Sequence, residues 1–83
     1  MSFETVFKLC EKIRNKRNIT YGGNWVYMSL ESLLYGACYK CERARFTSDL
    51  NKKLDDVLDA INYLMFVAIR ILNLKESGLN EEA

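Results

Sequence analysis

The chain of 83 residues predicts an all-α fold, a three-helix unit that assembles into an oligomeric helical bundle. Three observations carry that expectation. Apolar residues recur at three-and-four spacing in three successive stretches, two breaks rich in capping and turn residues separate them, and the last stretch is apolar on every side beyond its midpoint.

Phe3, Val6, Phe7, Cys10 and Ile13 mark the first helix, over about residues 3–18, with Ser2 as its amino-terminal cap. The helix is expected to stop at 19–24, where Ile19 and Thr20 are followed by Tyr21 and the paired glycines Gly22 and Gly23, which take positive φ without strain. From Asn24, a second cap, the series Val26, Leu30, Leu33, Ala37, Cys41 and Ala44 predicts a helix over 24–45. Gly36 lies inside it, at a cost of about 1 kcal/mol relative to alanine. It is either a tolerated flaw or a point where another backbone comes close.

A connection at 46–49, with Thr47 or Ser48 as cap, leads into the third helix, over 49–74. Leu50, Leu54, Leu58, Ile61, Met65, Ala68 and Leu72 keep helical spacing along it. At about 100° per residue, Asp55, Asp59 and Asn62 share one sector of about 60°, and Asp56, about another 60° round, is almost opposite the Leu54/Leu58/Ile61/Met65 stripe. From Tyr63 to Leu72 Arg70 is the sole charge. A helix apolar all round must be covered all round, and two short helices cannot wrap it, so a second copy of the chain is the expected cover. Residues 1–74 read as one domain and 75–83 as a mobile acidic tail.

Composition narrows the chemistry. With no histidine, a Ser-His-Asp triad, a Cys-His nucleophile pair and a Cys₂His₂ zinc site are all excluded. Three cysteines, an odd number, point to free thiols and a reducing, cytoplasmic setting, and no secretory leader pattern is expected at the amino terminus. Uncharged runs such as 32–39 and 60–69 fall short of the roughly 18 residues a membrane span requires, so a soluble protein is expected. The net charge of +1 divides into basic segments at 11–17 and 40–45 and acidic segments at 49–59 and 75–83, unlike the uniform basicity of a committed nucleic-acid binder.

The strongest candidate for chemistry is Asp55, Asp56 and Asp59 with Asn62, because carboxylates three and four positions apart on one helix share a face and converging oxygens are what Mg²⁺ or Mn²⁺ takes. The same residues also suit a solvated face near a helix amino terminus, where negative charge is mildly favourable.

The order Tyr21-Gly22-x-x-Trp25, Lys40-x-x-Arg43, then Asp56-x-x-Asp59-x-x-Asn62-Tyr63 resembles the nucleotide-modification-associated domain 1 family of phages and bacteria, which is itself similar to the MazG-like all-α nucleotide pyrophosphohydrolases. The resemblance spans about residues 8–72. It implies that Asp56 and Asp59 match the second of two acidic pairs holding Mg²⁺ on a nucleoside triphosphate, and that Lys40 and Arg43 touch phosphates. Half of that metal site is missing: around Glu31 and Glu42 no Glu-x-x-Glu pair exists, and Tyr39 stands where the family usually carries an acid. The implied protein is a nucleotide-binding module with a degenerate metal site, leaning away from catalysis, with Glu31 or Glu42 as the only further carboxylates on helix two.

Tyr21 and Trp25, beside the glycine turn, suit either stacking on a base or packing of the turn onto the bundle. Cys38-x-x-Cys41 has metal spacing but no second pair, so buried thiols are expected. Lys12, Arg14, Lys16 and Arg17 support the alternative function, a non-enzymatic homo-oligomeric interaction protein whose basic patches engage nucleic acid or a replication or modification partner.

Overall fold

The computed structural model describes the backbone of residues 2–21 and 24–78, and their side chains except at 18–21 and 24. Those residues form α1 (Phe3–Tyr21), a single 3₁₀ turn (Asn24–Tyr27), α2 (Leu30–Phe46) and α3 (Leu50–Glu76). The fold is all-α, with no strand among the described residues.

Each helix begins where a side chain satisfies its free amides. Ser2 caps α1 through a 3.2 Å hydrogen bond from the Thr5 amide to its Oγ. The second helix starts later than 24: Asn24 opens the 3₁₀ turn, and Ser29 caps α2, its Oγ accepting from the Ser32 amide at 3.1 Å. Asp49, rather than Thr47 or Ser48, caps α3, with Oδ1 accepting from the amides of Asn51 (2.9 Å) and Lys52 (3.3 Å). Thr47 closes α2 instead, donating from Oγ1 to the Arg43 carbonyl at 2.9 Å. α1 runs to Tyr21, past the β-branched pair, while Gly22 and Gly23 lie outside the described residues. α3 continues two residues beyond 74 and ends in a turn at Gly78, whose φ of +75° suits glycine. Residues 79–83 of the expected tail are likewise outside the described ones.

α3 is the central helix, with α2 packed along one side and α1 along another. The core is small: Leu33, Ala37 and Ala44 of α2 and Leu58, Ala60 and Val67 of α3 are buried, together with Cys10 of α1. Small side chains on α2 let α2 and α3 approach closely. At Gly36 the neighbour is the ring of Tyr63, so the residue marks a side-chain contact rather than a crossing of backbones. Arg70, the one charge in the apolar half of α3, donates to the Met28 carbonyl at 2.5 Å and ties the 3₁₀ turn to the bundle.

The orientation of α3 differs from the helical-wheel expectation. Asp56, Asp59 and Asn62 are buried, whereas Leu50, Leu54, Val57, Leu64 and Ile71 are exposed. The polar stripe faces the neighbouring helices because α1 and α2 present basic side chains there, and the expected apolar stripe is split, with Leu58 buried, Ile61 and Met65 half-buried and Leu54 exposed. By length and composition alone α3 is apolar enough to cross a membrane, with a mean hydropathy of 1.6, because its apolar residues continue on both sides of single charges that divide the uncharged runs.

Candidate functional site

The polar stripe of α3 meets both neighbours. Asp59, on the inward face, accepts from Arg17 Nη2 of α1 at 3.0 Å and lies 3.1 Å from Lys40 Nζ of α2. One turn earlier, Asp56 is 4.0 Å from Lys40 Nζ and 3.6 Å from Arg43 Nε. The longer distances leave Asp56 Oδ2 buried without a hydrogen bond, making Asp56 the looser member of the pair. One turn later, Asn62 bridges to α1 in both directions, accepting from Arg14 Nη1 at 2.9 Å and donating from Nδ2 to the Cys10 carbonyl at 3.1 Å.

This arrangement follows from matched spacing. Arg14 and Arg17 are three apart on α1, Lys40 and Arg43 three apart on α2, and Asp56, Asp59 and Asn62 three apart on α3, so each set points along one line of its helix. Three cations, Arg17, Lys40 and Arg43, meet two carboxylates, which leaves an excess of one positive charge, and Arg14 lies beside them on Asn62. Lys40 is mostly sheltered, at 18% side-chain exposure, while Arg17 and Arg43 keep about half of their side chains in solvent, at 47% and 51%. Arg43 also lies over the ring of Tyr39, 5.8 Å from its centroid.

Of the residues expected to bind metal, only Asp56 and Asp59 meet, both at Lys40. Asp55 is exposed, away from the buried Asp56 and Asp59. Glu31 is exposed in the first turn of α2, and Glu42 pairs with Arg45 on the same helix at 3.1 Å. Among the described residues no group of three Asp, Glu, Cys or His side chains converges on a common point. Lys12 and Lys16 are exposed on a different side of α1 from Arg14 and Arg17, so the expected basic patch is divided between two faces.

Trp25 is half-buried and stacks on Phe66 of α3, with centroids 4.4 Å apart and planes 9° from parallel, which occupies one face of the indole. The Tyr21 side chain lies outside the described residues. Cys38 and Cys41 are exposed on α2 rather than buried, and only Cys10 is enclosed. Burial pushes the Cys10 thiol above its ordinary range, with the Arg14 charge opposing part of the effect.

Sequence reasoning did not assign Arg14 and Arg17 as partners of Asn62 and Asp59. The signal available was the equal three-residue spacing of the two basic pairs and the acidic pair. The chain matches no protein-family model, no curated protein and no solved structure.

Proposed function

We propose that this chain is a small helical module that binds the phosphates of a nucleotide without cleaving them. The observation supporting the reading is the gathering of Arg17, Lys40 and Arg43 from two helices around only two carboxylates, with Arg14 one turn along on Asn62. Phosphate oxygens would accept from the exposed guanidinium edges of Arg17 and Arg43, where bidentate geometry favours them, while Asp56 and Asp59 hold the cations in position. The resemblance to MazG-like modules points to Lys40 and Arg43, and so shares Arg43 with this pair.

A divalent ion does not suit this donor set. Asp56 and Asp59 are already turned toward Lys40, Arg43 and Arg17, whose charges would repel Mg²⁺ or Mn²⁺ within a few ångströms. The reading is therefore one of retention rather than hydrolysis.

Calorimetric titration of the full chain with deoxynucleoside triphosphates, with and without Mg²⁺, tests it. Binding heat that weakens with added salt is expected, and Arg43→Gln or Arg17→Gln should each lower affinity about tenfold, the worth of one charge-assisted hydrogen bond. Absence of heat in every titration would end the nucleotide reading.

A second reading, a non-enzymatic interaction protein acting through self-assembly and a macromolecular partner, is favoured by the apolar residues that α3 leaves exposed. Lys12 and Lys16, both exposed on α1, are the side chains that would meet nucleic acid in that case. Filter retention of DNA or RNA at low salt is its test.

A further inference from the structure

The outer face of α3 has a spacing of its own. Leu50, Leu54, Val57, Leu64 and Ile71 are 76%, 48%, 39%, 48% and 42% exposed, and Ile61 and Ala68 fill the gaps between them. The steps along this line alternate four, three, four, three, four, three, which is the seven-residue repeat of a helix that packs lengthwise against another helix. The repeat runs for some three heptads on the side away from α1 and α2. The geometry points to this stripe as the seam for a second copy of the same chain, the two α3 helices lying antiparallel about a two-fold axis. The inference deepens the assembly reading above and is independent of nucleotide binding.

Three observations select that occupant. At these fractional exposures the stripe leaves on the order of 500 Å² of apolar side chain open, so full burial in two copies would remove about 1,000 Å², the lower edge of specific interfaces. A self-complementary seam needs no other surface, as a two-fold pair requires. Charge sets the direction: Lys75 continues the four-three rhythm, so parallel copies would oppose Lys75 to Lys75, whereas antiparallel copies bring it level with Asp49 at the start of the other α3 and also set the two helix dipoles against each other.

Sedimentation velocity of the full chain across about 1–100 μM, with helicity followed by circular dichroism, tests the seam. A dimer is expected, converted to monomer by Leu64→Glu or Val57→Glu with helicity retained, while Tyr27→Glu, away from the stripe, stays dimeric. The milder Leu64→Ala, which keeps the fold if a glutamate does not, should raise the dimer dissociation constant at least about tenfold. Lys75→Glu should weaken the antiparallel pair; no effect would overturn the orientation. A dimer that survives the Val57 and Leu64 changes overturns the seam but leaves self-assembly standing. A monomer throughout overturns both, and a monomer that partitions onto phosphatidylcholine vesicles overturns both in favour of lipid.

Discussion

Gly36 lies against the ring of Tyr63: a Cβ at residue 36 would sit 2.9 Å from both Cε1 and Cζ. The glycine that weakens α2 as an isolated helix is what allows α2 and α3 to close on each other with a tyrosine between them.

Gly36→Ala is expected to destabilise the fold by about 1 kcal/mol, the net of roughly 2 kcal/mol of overpacking and a gain of about 1 in helix propensity. In a Tyr63→Leu background the same change should be neutral or stabilising. Urea denaturation of the four variants reads the coupling, and additive effects would disprove the contact.

Asp59 and Asp56 should differ in cost although both are buried. Removing Asp59 by Ala leaves Lys40 and Arg17 without their short contacts, for a loss of about 3–5 kcal/mol. Asp56, with longer ion pairs and one oxygen lacking a hydrogen bond, should cost less, about 1–2 kcal/mol. Equal losses in thermal denaturation would contradict the geometry.

The three thiols should divide by reactivity. Cys38 and Cys41 are expected to react with a disulfide reagent within minutes at neutral pH, and Cys10 only on unfolding, since it is fully enclosed. The pH dependence has a definite sign. The raised thiol of Cys10 contributes its full share of stability below the ordinary thiol range near 9.0 and loses it as pH rises through the elevated value. Cys10→Ala should flatten the alkaline limb of a stability profile relative to the parent chain.

Trp25 reports the docking of the turn. Phe66→Ala removes its stacking partner, so a red shift of indole emission and a loss of about 3 kcal/mol are expected. An unchanged emission maximum would mean that the indole is held by other groups.

Much of this molecule can be read from the order of its residues. Three helices, the cap at Ser2, the change of structure near residues 19–24 and the length of the last helix all arise from spacing within ten or so residues, where periodicity and capping chemistry act locally. The caps at Ser29 and Asp49 were less legible because neighbouring Asn24, Thr47 and Ser48 offer the same chemistry, and only the path of the backbone selects among them.

The inward face of α3 was not legible in this way. Periodicity gives the angle between its polar and apolar stripes but not which of them turns toward the other helices. That choice belongs to the tertiary structure: Arg14, Arg17, Lys40 and Arg43 reach the line of Asp56, Asp59 and Asn62 from helices distant in sequence, so the polar stripe is satisfied within the chain. Ion pairing across three helices depends on distances of a few ångströms that local order does not encode. Once it is made, the remaining apolar face of α3 can only turn outward.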